Sequence, residues 1–236
     1  MRKFKITLIT TIIMGVSIFS YSKYEELETK KIMQEPYVKG YLAKKEQLLK
    51  LKNTHDFKIV MIGDSLTAGN NWNKSLDRKD ILNMGQGSDF TYIKLKNLEL
   101  GIINRLDGLD SLYKKAFLMI GINDFNKKKE PEDVFKTYIK IINYIKDKQI
   151  EPIIQSTLYI TKNKYNWDYN FLNQKVKTLN DLLETYCKKH NIKFIDLNKN
   201  LSENDTLNQQ YTYDGVHLNQ NGYVKWSSII KPYMKL

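Results

Sequence analysis

The sequence has 236 residues, 42% of them hydrophobic and 27% charged, which suffices for one globular domain with a substantial core. Its single cysteine, Cys187, excludes an intramolecular disulfide and is predicted to be a small core residue. Three scattered histidines are too few for a site of His and Cys ligands, so we predict neither a metal nor another cofactor. The net charge of +12 leaves cell-envelope association open, but the lysines are spread along the chain, and we predict no specific nucleic-acid partner.

The first 22 residues have the pattern of a secretory signal peptide. Residues 1–5 are basic, residues 6–19 are apolar and uncharged, and residues 20–22 form a small-x-small cleavage site. The apolar run is shorter than the roughly 20 residues of a membrane-spanning helix, which favours a signal peptide over an uncleaved N-terminal membrane anchor. Its removal would leave 35 basic and 26 acidic residues, a net charge of +9. The pattern predicts an exported protein that is extracellular, periplasmic or associated with the cell envelope.

Residues 23–56 are predicted to form an N-terminal helical segment ahead of the main domain, which we place at residues 57–236. Lys, Glu, Leu and Tyr dominate this segment, and Pro36 separates two predicted helices, 24–34 and 37–51. The second helix has an apolar face. That face predicts packing onto the same chain, with a spacer or a partner-binding helix as alternatives.

Apolar strands alternate with helices through the rest of the chain. Such alternation, with strands that are apolar throughout, predicts a parallel sheet covered by helices on both faces. The predicted strands are 57–62, 80–84, 114–120, 152–157 and 192–197, and the predicted helices are 91–106, 131–148, 168–190 and 220–234.

The first predicted strand leads directly into Gly63-Asp64-Ser65-Leu66. A serine at the carboxyl end of a parallel strand, where the chain turns into a helix, lies where open α/β sheets bind their ligands. Its hydroxyl can act there as a nucleophile. The alternative is that Asp64 or Ser65 only caps the helix.

Two later motifs favour a catalytic role for the serine. Gly121-Ile122-Asn123-Asp124 follows the third predicted strand, and Asp214-Gly215-Val216-His217 precedes the last predicted helix. Together with Gly-Asp-Ser-Leu, and in this order, they resemble the SGNH (GDSL) hydrolase family from about residue 57 to the C-terminus. The resemblance implies an α/β fold: a flavodoxin-like three-layer α/β/α sandwich with a five-stranded parallel sheet.

Ester hydrolysis requires a nucleophile, a base, a group that orients the base, and donors for the developing oxyanion. The resemblance implies that Ser65 attacks the carbonyl, that His217 acts as general base and then general acid, and that Asp214 orients His217. It also implies an oxyanion hole with three donors. Two of them are the Ser65 amide and the side-chain amide of Asn123.

The third donor of the family is a backbone amide after the second strand, and here the sequence departs from its relatives. Relatives typically have Asn-x-Gly-x-x-Gly-Asp at this place. Aligning Asn83 and Asp89 with that pattern places Ser88 where the family has glycine, with Gly87 one residue early. The assignment of the oxyanion amide to Gly87 or to Ser88 is therefore left open.

We predict from these features a serine esterase that acts outside the cytoplasm on acetyl or short-chain acyl esters of carbohydrate or lipid, with a small molecule or a glycan as substrate. An O-acyltransferase acting on a cell-envelope glycan is one alternative. A non-catalytic basic binding module on the same fold is another. The stretch 91–100 is longer than is usual in the family, a feature that would reshape the acyl or leaving-group pocket. The oligomeric state is left open.

Overall fold

The computed structural model describes residues 23–96 and 98–236, so the predicted signal peptide lies outside the described residues. Within them, no helix has the length and hydrophobicity needed to cross a membrane. The strands are β1 (Ile59–Gly63), β2 (Ile81–Gly85), β3 (Ile93–Leu95), β4 (Leu98–Leu100), β5 (Lys115–Met119), β6 (Glu151–Gln155), β7 (Lys193–Ile195), β8 (Ser202–Glu203) and β9 (Thr206–Leu207).

The helices begin with α1 (23–34) and α2 (Pro36–Leu51), so both predicted N-terminal helices are present. The others are α3 (Ser65–Ala68), α4 (Trp72–Leu76), α5 (Ile122–Asn126), α6 (Pro131–Asp147), α7 (Tyr169–Lys189), α8 (Asn198–Leu201) and α9 (Gln220–Ile230), and 3₁₀ turns follow at Ile102–Asn104, Gln209–Tyr211 and Lys231–Met234.

Five strands form one parallel sheet in the order β2-β1-β5-β6-β7. Counted along the sheet-forming strands alone, this is the 2-1-3-4-5 order of flavodoxin-like folds. The predicted fold class and sheet are confirmed. The antiparallel pairs β3-β4 and β8-β9 are two small hairpins outside this sheet.

Successive side chains of the strands point into two different cores, as the period of two in a β-strand requires. Val60 and Ile62 of β1 pack with α6 and α7, whereas Ile59 and Met61 pack with α3, α4 and α9. Cys187 is fully buried in the first of these cores, as predicted. The sheet therefore lies between two helical layers.

Helix α6 shows how local sequence and packing agree. Pro131 occupies its first turn, where its missing N–H costs nothing, and two acidic residues follow at the positive end of the helix dipole. Its core-facing side chains recur at helical spacing and are fully buried, which stabilises the fold by roughly 1.5–3 kcal/mol for each large one. They are Val134, Tyr138, Ile141, Ile142 and Ile145.

The prediction of a helix over 91–106 is wrong. The segment forms the β3-β4 hairpin, which pairs Ile93 with Leu100 and Leu95 with Leu98, and then a 3₁₀ turn. Apolar residues at every second position support a strand, and these side chains pack against α1 and α2. Lys96 adopts a left-handed φ of 51° in the hairpin turn, which a continuous helix does not permit.

Candidate active site

The carboxyl ends of three neighbouring strands lie side by side at one edge of the sheet. Gly63, the last residue of β1, is in register with Gly85 of β2 and with Met119 of β5. The segments that follow these strands therefore start next to one another. They contain Ser65, the turn with Gly87 and Ser88, and Asn123, respectively.

Asp64, rather than Ser65, caps helix α3. Its Oδ1 accepts a hydrogen bond of 3.0 Å from the Leu66 amide, and Ser65 is the first residue of the helix. The Ser65 side chain is thus left to face His217, whose Nε2 lies 3.0 Å from Ser65 Oγ. As the first helical residue, Ser65 also has a backbone N–H without an intrahelical acceptor. The cap and the candidate nucleophile are two different residues.

Asp214 holds His217 through both its side chain and the turn between them. His217 Nδ1 lies 2.8 Å from Asp214 Oδ2, while Asp214 Oδ1 accepts hydrogen bonds from the amides of Val216 and His217 at 2.9 and 2.7 Å. Gly215 permits this turn because its φ is +88° and a Cβ there would overlap the carbonyl oxygen of Lys162. The structure thus brings Ser65, His217 and Asp214 into one hydrogen-bonded row.

Tyr165 is a member of this network that the sequence analysis missed. Its hydroxyl donates to Asp214 Oδ2 at 2.9 Å, and Lys164 Nζ lies 3.5 Å from the same oxygen. Burial acts to raise the pKa of Asp214, but hydrogen bonds from His217, Val216 and Tyr165 outweigh it and hold the pKa well below its usual range. Asp214 is therefore ionised at neutral pH. The only signal in the sequence was an aromatic pair, Tyr165 and Trp167, in a stretch assigned to no element.

Tyr165→Phe should lower the free energy of unfolding. The loss relative to the wild type should be larger at neutral pH than at strongly acidic pH. The depressed pKa of Asp214 stabilises the fold above the ordinary Asp pKa of about 3.9, and this stabilisation is lost as the pH falls toward the folded-state pKa. Losing one donor makes the depression smaller, so the stability gap between the two proteins should be constant above about pH 5 and shrink below it. Urea titrations between pH 2 and 7 measure this gap, and a gap that widens on acidification would contradict the assignment.

A cavity of about 280 Å³ opens beside Ser65 and His217. Asn123 and both candidate oxyanion residues of the turn, Gly87 and Ser88, also line it. Asn123 Nδ2 donates to the main-chain oxygen of Asp89 at 3.0 Å. Because an amide nitrogen carries two hydrogens, this bond orients the Asn123 side chain and leaves one donor for a bound oxygen.

The left-handed residue of the second-strand turn is Ser88. The turn is closed by a 3.2 Å hydrogen bond from the Asp89 amide to the Gln86 oxygen, and Ser88 has a φ of 59°. Gly87 has no such φ, and a Cβ built on it meets no atom within 4 Å. The residue that aligns with the family's glycine thus has a glycine-like backbone while carrying a side chain. Which of the two amides serves an oxyanion stays a prediction.

A larger side chain should be tolerated at Gly87 but not at Ser88, although Gly87 is the glycine of this turn. Ser88→Gly should keep or mildly raise kcat because it relieves a left-handed non-glycine residue, whereas Ser88→Val should lower kcat because a β-branched residue strongly disfavours that φ. Gly87→Ala should stay near the wild-type rate. Steady-state ester hydrolysis by the three variants tests this, and wild-type kcat in Ser88→Val would show that the turn is not strained there.

Asp64 is buried beside the candidate nucleophile. Burial raises its pKa to about 7, opposed by the Leu66 amide and reinforced by the carboxylates of Asp89 and Asp124. Its Oδ2 has no hydrogen-bond partner among residues 23–96 and 98–236. Across those same ranges, no cluster of three or more His, Cys, Asp or Glu side chains is placed to hold a metal ion.

Comparisons with known proteins identify relatives of the fold and the sequence. The GDSL-like Lipase/Acylhydrolase family model matches residues 61–225, more than half of the chain. A solved structure described as a platelet activating factor from Streptococcus pneumonia is similar with a TM-score of 0.73 and 21% identity, covering 88% of this chain and 98% of that one. A GDSL-like lipase from Bacteroides thetaiotaomicron has a TM-score of 0.67 and 20% identity, with 82% and 96% covered.

Curated relatives are longer proteins. The N-acylneuraminate cytidylyltransferase of Streptococcus agalactiae is 26% identical over 177 residues, which are 75% of this chain and 38% of that protein. The chain thus spans well under half the length of these relatives. The family model covers residues 61–225, and the solved structures share the α/β fold of this chain. The chain belongs to the GDSL-like lipase/acylhydrolase family.

Proposed function

We propose that this protein is a serine esterase that uses Ser65, His217 and Asp214 as its catalytic triad. The observation that carries the proposal is the continuous row of short contacts, 3.0 Å from Ser65 Oγ to His217 Nε2 and 2.8 Å from His217 Nδ1 to Asp214 Oδ2. The row ends in a cavity that Asn123 also lines. A nucleophile, a base, an orienting carboxylate and an oxyanion donor therefore meet at one point.

In the first half of the reaction, Ser65 Oγ bonds to the ester carbonyl carbon while its proton moves to His217 Nε2. The carbonyl oxygen becomes an oxyanion that accepts hydrogen bonds from the Ser65 amide, Asn123 Nδ2 and an amide of the Gly87–Ser88 turn. His217 then gives the proton to the alcohol oxygen as the ester C–O bond breaks. A water molecule, deprotonated by His217, then attacks the acyl carbon. The bond from this carbon to Ser65 Oγ breaks, His217 returns the proton to Ser65 Oγ, and the carboxylic acid leaves.

The size and lining of the cavity support a small acyl group and a polar alcohol. A volume of about 280 Å³ is at the small end of ligand sites, which suits acetyl or short-chain esters. Tyr165, Trp167 and Lys127 line it beside the apolar side chains, a mixture that suits the faces and hydroxyls of a sugar. Lipid esters are the other substrate class that we propose.

The leader pattern and the basic composition support action outside the cytoplasm, in contact with an anionic cell envelope. In that setting an acyl group could pass to a glycan hydroxyl instead of water. This O-acyltransferase is the second candidate function, supported by the same triad and by Tyr165 and Trp167, the aromatic residues that line the cavity. Product analysis with and without an added glycan acceptor separates it from the esterase, because only a transferase forms an acylated acceptor.

Hydrolysis of 4-nitrophenyl acetate by the purified protein should survive exhaustive chelation and should be abolished by a serine-directed organophosphonate. The reason is that the hydrogen-bonded row supplies both nucleophile and base from side chains. Mass spectrometry of the treated protein should place the adduct on the peptide with Ser65. Loss of activity with chelator and its recovery with zinc would overturn the proposal, and absence of any ester turnover would favour a binding module.

A further inference from the structure

Helix α2 lies outside the region that matches the family, yet it contacts the candidate oxyanion turn directly. The Tyr37 hydroxyl donates to Asp89 Oδ1 at 3.1 Å, and the Tyr37 ring packs edge-on against Phe90 with ring centroids 5.6 Å apart. Two turns later, Lys44 Nζ donates to the main-chain oxygen of Asn83, the third residue of β2, at 3.0 Å. Helix α2 thus contacts both β2, which precedes the turn, and Asp89, the last residue of the turn.

Gly40 of α2 lies against the first residue of the turn. A Cβ at Gly40 would overlap the side-chain amide of Gln86, the first residue of the turn. A glycine inside a helix disfavours the helix by about 1 kcal/mol relative to alanine. The contact of Gly40 with Gln86 and the bonds of Tyr37 and Lys44 thus place α2 directly on the turn.

Asp89 connects the helix to the catalytic groups. Its Oδ2 accepts a hydrogen bond from Arg105 Nε at 2.8 Å and lies 2.7 Å from Arg105 Nη2 in an ion pair, and both side chains are fully buried. Arg105 Nη2 also donates to the main-chain oxygen of Gly63 at 3.3 Å. The main-chain oxygen of Asp89 accepts from Asn123 Nδ2. One residue thus links α2, the end of β1 and the orientation of Asn123.

We propose that Tyr37 is a positioning residue for the oxyanion hole and that α2 is therefore part of the catalytic unit. The inference rests on the proposed esterase function. Burial of a carboxylate is costly when its oxygens do not receive hydrogen bonds. Asp89 Oδ1 receives one from Tyr37 and one from the Phe90 amide, so loss of the hydroxyl leaves this oxygen half satisfied and loosens the turn that holds Asn123 and the Ser88 amide.

Helix α2 provides its own matched control in Tyr41. This side chain lies one turn further along, is buried, and its hydroxyl has no hydrogen-bond partner among the residues that the structure describes. Tyr37→Phe and Tyr41→Phe therefore remove the same atom from the same helix. Only the first change removes a bond to the turn.

Kinetics of 4-nitrophenyl acetate hydrolysis by the full-length variants test the proposal. Tyr37→Phe should lower kcat about tenfold with KM unchanged, less than the roughly 10²–10³-fold cost of losing a direct oxyanion donor. Tyr41→Phe should keep the wild-type kcat. A merely structural role for Tyr37 would lower the melting temperature without this split between kcat and KM, and wild-type kcat in Tyr37→Phe overturns the inference.

A double variant gives a second test. If Tyr37 acts by orienting Asn123 and the adjoining turn, Tyr37→Phe should slow Asn123→Ala by clearly less than it slows the wild type. Equal fold-changes in both backgrounds overturn the coupling. Failure of the esterase proposal is recognised separately, because in that case the wild type itself hydrolyses no ester.

Discussion

Ser65→Ala should lower kcat for ester hydrolysis by about three orders of magnitude or more, because only binding and the oxyanion donors would remain. The fold should be retained. Ser65 Oγ contacts His217, while the cap of α3 belongs to Asp64 and stays in place. The rate of 4-nitrophenyl acetate hydrolysis and the circular dichroism spectrum of the variant measure the two expectations.

Ser228→Ala is the matched control for this experiment. Ser228 is an exposed serine of α9 whose hydroxyl donates only to the main-chain oxygen of Lys225, one turn earlier. Its removal should leave kcat within the error of the wild-type value. Full esterase activity in Ser65→Ala would exclude the proposed nucleophile, whatever the result for Ser228→Ala.

Asn123→Ala should raise the activation barrier by about 2.7 to 4 kcal/mol, seen in kcat with little change in KM, because the oxyanion exists only after the carbonyl is attacked. Asn123→Asp should be slower still at neutral pH. A carboxylate replaces a donor by an acceptor and places negative charge beside the oxyanion. Steady-state kinetics of both variants test the order.

Asn126→Ala is the control for the oxyanion experiment. Asn126 is on the same short helix and lines the same cavity, but it is the last residue of α5, one turn away from Asn123. Its replacement should change kcat much less than the replacement of Asn123. If Asn123→Ala and Asn123→Asp both hydrolyse esters at near wild-type rates, Gly121-Ile122-Asn123-Asp124 is a turn and not part of an oxyanion hole.

The fold could be predicted from sequence because its signals are local. Each buried strand is a run of apolar residues, and α6 begins at a proline and repeats its apolar residues at helical spacing. The 91–106 segment was predicted wrongly because its apolar residues fit either period. What decided it was the packing of Ile93 and Leu95 against the N-terminal helices, a contact between segments far apart in sequence.

The candidate site likewise has residues that the sequence predicts and residues that only the structure reveals. Ser65, Asn123 and His217 stand in short motifs that a sequence displays directly. Tyr165 could not be assigned from sequence because its hydrogen bond joins it to Asp214, 49 residues later, across two loops. The bond between Tyr37 and Asp89 spans 52 residues and depends on how α2 lies on the turn, which no periodicity encodes.

The register of the strand ends at Gly63, Gly85 and Met119 has a consequence for how this protein could change its substrate. Backbone hydrogen bonds of the sheet fix the nucleophile and the candidate oxyanion donors relative to one another. Trp167, by contrast, reaches the cavity from residues 156–168, which have no regular secondary structure. Evolution or laboratory selection can therefore exchange Trp167 while the reacting geometry is inherited, whereas Tyr165 of the same segment is constrained by its bond to Asp214. New specificities are accessible through few substitutions around Trp167.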